Sequence, residues 1–145
     1  MSAAPTTTPV EALVRELYSL GAARREIAKH ALAELGGQGF LALGIAFRHG
    51  PVRISEIASR LAVDLSVASR QVAALAEAGY VSRERDPSDG RAQVITVTKA
   101  GQRVLMDSHR RMVDAFAAVL GEWPEAEIDA LTERLARLNE AFLDS

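Results

Sequence analysis

The chain has 145 residues, 48% of them hydrophobic and 25% charged, which suits one domain with a real core. It contains no cysteine, so disulfides, thiolate nucleophiles, cysteine-type zinc sites and thiol-based redox sensing are excluded. The net charge of −2 is unevenly spread: Arg48 to Arg91 holds seven arginines against six carboxylates, while Glu122 onward holds seven carboxylates against Arg134 and Arg137, a distribution that simple surface solvation would also produce.

The first nine residues, MSAAPTTTP, have neither a positive charge nor an apolar run. They read as a flexible tail (1–9) rather than a signal peptide. No stretch approaches the ~18–20 uncharged apolar residues of a membrane-spanning helix, so a cytoplasmic protein is expected. Leu13, Leu17, Leu20 and Ile27 recur at helical spacing and predict a helix over 10–35, with Pro9 suited to its start. Gly36-Gly37-Gln38-Gly39 interrupts it. A second apolar helix runs from Phe40 to Arg48 and stops at His49-Gly50-Pro51.

Val52-Arg53-Ile54 reads as a very short extended piece. Ser55 is the expected N-cap of a helix with Ile57, Ala58 and Leu61 on one face. After the tight connection Ala62–Leu65, Ser66 is the expected N-cap of a helix that turns Ala68, Val72 and Leu75 inward and ends at Gly79. Two short helices so joined are the helix-turn-helix pattern. Tyr80–Arg83 and the β-branched run Ala92–Thr98 then form strands around the turn formers Asp86–Gly90, a β-hairpin in the position of a wing. A long helix follows from Thr98, with Leu105, Met112, Val113, Phe116 and Leu120 on its apolar face, until Trp123-Pro124 breaks it. The last helix carries Ile128, Leu131, Leu135, Leu138 and Phe142 at spacings of three and four, an a/d seam. That seam serves either a partner chain or packing within the same chain. The first helix and the last two exceed what a small winged helix needs for its own core, which favours the partner chain.

The helix opening at Ser66 shows Ser66, Val67, Ser69 and Arg70 on the face opposite its core residues. A recognition helix reads base edges with its N-terminal residues. Arg70 suits guanine or phosphate, the serines suit phosphate, and the Val67 methyls suit thymine. Arg83 and Arg85 lie on the first wing strand and Asp89-Gly90-Arg91 at its tip. An arginine at a protruding tip can enter the minor groove, where the negative potential is enhanced. Asp89, two residues before Arg91, is placed to hold the guanidinium in a bidentate pair. Taken singly, each feature is also an ordinary surface. Together they match adjacent major and minor grooves.

Gly50-Pro51 through Ile57-Ala58 and Leu61, then Ser69-Arg70, Val72, Leu75 and Gly79-Tyr80-Val81, then Asp86-Pro87, Asp89-Gly90-Arg91, Ile95, Val97-Thr98 and Gly101, resemble the MarR family of bacterial transcription regulators. The most specific part is the Asp-x-Arg wing followed by the entry into the long helix. The resemblance covers nearly the whole chain. It implies a mainly α fold with a small β-hairpin wing: a winged helix-turn-helix at 40–98 and dimerisation helices at 10–35 and 99–143, in one domain, 10–145. It further implies a homodimer on a pseudo-palindromic site in double-stranded DNA, with Arg91 as the wing-tip arginine and Asp89 its partner. Leu13, Leu17, Ile128, Leu131, Leu135 and Leu138 are the expected dimerisation residues. The chain departs from the pattern at Gly90, where many relatives carry another arginine, and in the small apolar Val67, Ala73 and Ala74 of the recognition helix. Its specificity is therefore expected to lean on DNA shape.

The resemblance also implies a small aromatic effector, for which Arg24, His30, Phe40 and Phe47 are the candidates; the aromatics serve equally as core. His30, His49 and His109 form no close-spaced metal ligands, and no cofactor is expected. Gly37-Gln38-Gly39 follows no strand, and there is no P-loop, His-Glu-x-x-His pattern or nucleophile elbow, so catalysis is not expected. The readings that remain are a DNA-binding regulator, expected to be a repressor relieved by a small-molecule effector, and a protein-interaction or ligand-binding module on the same scaffold.

Overall fold

The computed structural model describes residues 8–143, apart from the side chains of Ile27, His30, Ala31 and Leu143, with helices α1 (Pro9–Ala31), α2 (Gly36–His49), α3 (Ile54–Leu61), α4 (Leu65–Glu77), α5 (Lys99–Val119) and α6 (Glu125–Leu143). Three strands complete it: β1 (Val52–Arg53), β2 (Val81–Asp86) and β3 (Asp89–Val97). The chain divides into two compact units, one up to Val113 and one from Asp114. Among the described residues no helix is long and apolar enough to cross a membrane.

In the first unit, α1 opens with a reciprocal cap. The Glu11 N–H donates to the Thr8 hydroxyl at 3.2 Å and the Thr8 N–H donates to the Glu11 carboxylate at 2.7 Å. The helix stops at Ala31, short of the expected Leu35, because Leu32 turns into the core and Gly36 takes up a φ of +64°. The glycine run is correspondingly no interruption. It forms the first turn of α2, where main-chain N–H groups need no helical partner.

α2, α3 and α4 enclose a core of Leu43, Ile57, Val72, Ala42 and Ala68, closed on one side by Val52 and Ile95 from the sheet. The sheet order is β1-β3-β2, all antiparallel, with Val52 opposite Ile95 and Val81 opposite Val97. The short extended piece foreseen before α3 is thus a third strand, although Ile54 already belongs to the helix. Both helix starts of the helix-turn-helix shift by two residues from the expected caps. Arg53 rather than Ser55 precedes α3, and Asp64 rather than Ser66 precedes α4, each with extended backbone and no capping bond from its side chain. Ile54, half-buried against the core, and the exposed Leu65 occupy the first helical positions, and the serines are left inside the first turn.

The end of α4 is joined tightly to the start of α5. Gly79, at φ +77°, closes a Schellman motif in which the Tyr80 N–H donates to Leu75 O at 2.9 Å and the Gly79 N–H to Ala76 O at 3.0 Å. The Thr98 hydroxyl donates to Gly79 O at 2.7 Å and accepts from the Gly101 N–H at 3.1 Å. A Cβ on Gly101 would stand 2.0 Å from Tyr80 O, so only glycine allows this approach.

The second unit holds the end of α5, a connection from Leu120 to Pro124, and α6. The break comes at Val119, ahead of the expected Trp123-Pro124, and the Trp123 N–H donates back to Leu120 O at 2.8 Å. Glu125 and Glu127 lie in the first turn of α6, where carboxylates favour the helix N-terminus.

Candidate nucleic-acid interface

α4 is the second helix of the helix-turn-helix. Its inward row is Ala68, Val72 and Leu75, the first two wholly inaccessible. That row fixes which side chains point away. Ser66 and Arg70 are exposed, while Val67 and Ser69 are half-buried at the rim. No carboxylate lies within ion-pair distance of Arg70 among the described residues.

The wing is β2 and β3. Val81, Arg83 and Arg85 share one face by strand alternation. Val81 is buried, and the two arginines continue its row past the edge of the core into solvent. The pairing then jumps, from Arg85 opposite Gln93 to Asp86 opposite Asp89. Pro87 and Ser88 make the turn, and Gly90, Arg91 and Ala92 bulge out on the β3 side with no opposing residue.

The expected bidentate pair between Asp89 and Arg91 does not form. Asp89 Oδ1 instead accepts the main-chain N–H of Arg91 at 3.1 Å. A short carboxylate reaches the backbone two residues ahead more readily than it reaches a long side chain that leaves the ribbon. Asp89 therefore shapes the bulge, and the Arg91 guanidinium is exposed with no partner among the described residues. Arg83 and Arg85 are exposed and unpaired in the same way. Four cationic side chains, from the second helix of the helix-turn-helix and the wing, are thus left to solvent among the described residues.

Sequence reasoning did not find Arg53 and Asp86. Asp86 is the one charged residue in the buried set among the described residues. Its Oδ2 accepts Arg53 Nε at 2.9 Å and also the Arg53 terminal nitrogen, and its Oδ1 accepts the Ser88 hydroxyl at 2.7 Å and the Ser88 N–H at 2.9 Å. The two Ser88 bonds and then the Arg53 guanidinium pull the carboxyl from its ordinary value down to about 2. A contact between residues 33 apart has no local signature. An aspartate beside Pro87 in a turn-rich stretch was a sufficient explanation of itself.

A second feature of this unit is a cavity of about 540 Å³ between α2 and α5. Phe40, Leu41, Gly44 and Phe47 line it from α2, and Leu105 and Met106 from α5, with Arg48, His109 and Arg110 adding polar groups. Of the effector candidates, Phe40 and Phe47 meet here. Arg24 is exposed on α1 and does not line the cavity, whose walls come from α2 and α5. His30 lies outside the described residues. Arg48 and His109 were missed. The signal for Arg48 was present: Leu41, Gly44, Phe47 and Arg48 form a second stripe on α2, distinct from the core stripe of Ala42, Leu43, Ile45 and Ala46.

Of the expected dimerisation residues, Leu13 and Leu17 of α1 are exposed. On α6, Leu131 and Leu135 are exposed and Ile128 and Leu138 half-buried.

The MarR family model matches residues 38–92, the span from α2 to the wing tip. The chain is 38% identical over 95 residues to the HTH-type transcriptional regulator YxaD of Bacillus subtilis (strain 168), an alignment covering 66% of this chain and 66% of that protein. In three dimensions it is similar to MarR, with a TM-score of 0.80 at 21% identity over 95% of this chain and 100% of that one. It is also similar to CouR of Rhodococcus jostii RHA1 in complex with p-coumaroyl-CoA, with a TM-score of 0.74 at 23% identity over 92% and 95% of the two chains.

Proposed function

The chain belongs to the MarR family of DNA-binding helix-turn-helix transcriptional regulators, and we propose that it works in the cytoplasm as a homodimeric repressor on a pseudo-palindromic DNA site. The observation that carries this reading is the set of unpaired, exposed arginines on two elements of different reach. Arg70 stands on a helix of the size and position that enters a major groove. Arg83 and Arg85 flank it along the wing, and Arg91 lies at a bulged tip narrow enough for a minor groove. Ser66 and Ser69 are at the same helix N-terminus and donate to phosphate; Val67 offers methyl contacts. Asp89 belongs to the site through the backbone of the bulge that it shapes.

The apolar residues left uncovered on α1 and α6 support the dimer. Leu13 is 47% and Leu131 41% exposed, and repeated apolar exposure along a helix marks a surface that another chain covers. A second copy supplies the same surface and the two-fold axis that an inverted repeat requires.

The cavity between α2 and α5 supports relief by a small aromatic acid. Phe40 and Phe47 offer ring contacts, and Arg48 and His109 offer donors for a carboxylate. CouR, which shares this fold, has p-coumaroyl-CoA bound, the CoA thioester of an aromatic acid. α5 lines this cavity and is also bonded to the end of α4 through Thr98 and Gly101, so a ligand that shifts α5 shifts the recognition helix.

Selection of preferred sites from a random duplex pool near physiological salt tests the reading. An enriched inverted repeat with half-sites about one helical turn apart is the expected result. Absence of enrichment from folded, dimeric protein, with and without aromatic carboxylates, would move the function to a protein partner.

A further inference from the structure

We infer that Arg53, Asp86 and Ser88 form a latch that sets the direction of the wing, making Arg53 and Asp86 positioning residues that act on DNA through Arg91. The inference rests on the reading above that the wing tip meets DNA. Asp86 is the last residue of β2, at the step where the strand pairing jumps. Beyond it the wing is a two-strand ribbon with one remaining pair, Asp86 and Asp89. Such a ribbon has little stability of its own direction.

Both oxygens of the Asp86 carboxylate are used. One gathers the Ser88 N–H and hydroxyl and so closes the turn, while the other takes two N–H groups of Arg53. Arg53 is anchored twice over. It pairs with Val94 as part of β1, and it is the residue from which α3 starts. By strand alternation Arg53, Val94 and Glu84 share the outer face of the sheet, so the guanidinium reaches diagonally along that face to Asp86. The carboxylate therefore ties the wing turn to the first helix of the helix-turn-helix, and through it to α4. A guanidinium holding one carboxylate through two N–H groups fixes direction as well as distance. The geometry is built for orientation. Asp86 keeps a negative charge beside a surface that meets phosphates, a cost to DNA binding that a positioning role offsets.

That charge gives the test its sign. Electrostatics alone predicts that Asp86→Asn tightens DNA binding, since it removes a negative charge next to Arg83, Arg85 and Arg91. The latch predicts weaker binding. Binding of the full-length protein to its selected duplex is measured by fluorescence anisotropy for the wild type, Asp86→Asn, Arg91→Ala and the double variant, with circular dichroism to verify the fold. Asp86→Asn is expected to weaken binding about fivefold to tenfold. Arg91→Ala is expected to cost about tenfold in the wild type, within the range for a single arginine contact, and less than threefold in the Asp86→Asn background. Arg53→Lys keeps the charge but loses the two-point hold, and is expected to fall between wild type and Asp86→Asn. Tighter binding by Asp86→Asn, or full additivity of the two substitutions, overturns the latch while leaving the wing in the DNA interface. A silent Arg91→Ala in the wild type overturns the wing–DNA reading, and the latch with it.

Discussion

The recognition helix and the wing are held in place by opposite means. α4 is set by apolar burial: Ala68, Val72 and Leu75 point into a core shared with α2, α3 and the sheet, and Arg70 is aimed outward as the remainder of that arrangement. The wing leaves the core after Val81 and Ile95. From there its course is decided by polar contacts, with Arg53 and Ser88 on Asp86 and the Arg91 N–H on Asp89. One small chain thus positions its cationic side chains in two ways. A helix backed by packing is rigid at low cost in polar groups. A ribbon outside the core needs directional bonds, and those bonds can be changed without unfolding the protein.

The largest effect is expected on the core side. Leu75→Ala should cost about 2–5 kcal/mol of stability, read as a lower urea midpoint. Asp86→Asn should lower that midpoint far less, although both substitutions weaken DNA binding. Equal losses of stability would mean that the wing is as much part of the core as α4 is.

A smaller effect is expected at the turn between α3 and α4. Ala62 closes a Schellman-type end with φ +53°, its N–H donating to Ser59 O at 3.1 Å and that of Val63 to Ala58 O at 3.1 Å. A side chain in the left-handed region is strained by roughly 1–2 kcal/mol, part of which glycine returns as unfolded-state entropy. Ala62→Gly should therefore raise stability by about 0.5–1 kcal/mol and leave DNA affinity unchanged. A loss of stability would show that the turn depends on the Ala62 methyl group.

The mildest prediction concerns acid. Asp86 has a folded-state value of about 2 against an ordinary 3.8. Its contribution to stability is therefore present above about pH 4 and is lost as the pH falls towards 2. Thermal melts between pH 5 and pH 2 should show the wild type losing stability more steeply than Asp86→Asn, with the two curves converging at the acid end. Parallel curves would mean that the carboxylate gains nothing from Arg53 and Ser88 in the folded state.

Much of the helix-turn-helix was legible because burial leaves a periodic trace. Ile57, Ala58, Ala68, Val72 and Leu75 were identifiable as inward-facing from spacing alone, and all are buried. Helix boundaries were less so. Ser55 and Ser66 are good capping residues, yet Arg53 and Asp64 precede the helices: Ile54 is drawn into the first helical position by packing on the core, whereas Leu65 takes the same position while exposed. The glycine run before Phe40 looked like a loop by composition and is a helical turn by context. In the candidate site, Arg70, Arg83 and Arg91 could be picked out as residues, but not the partners that do or do not hold them.

The order of the elements, the apolar rows that bury them and the likeness to the MarR family were readable from the chain, since each is written in local spacing and in short motifs such as Asp89-Gly90-Arg91. That Asp89 turns to the backbone, that Asp86 takes Arg53 from a strand 33 residues away, and that the aromatics of α2 open onto a cavity against α5 came from the folded chain alone. The physical reason is range. Hydrophobic periodicity is a property of neighbours along the chain, whereas a hydrogen-bond partner is chosen by whichever donor the finished fold brings within about 3 Å.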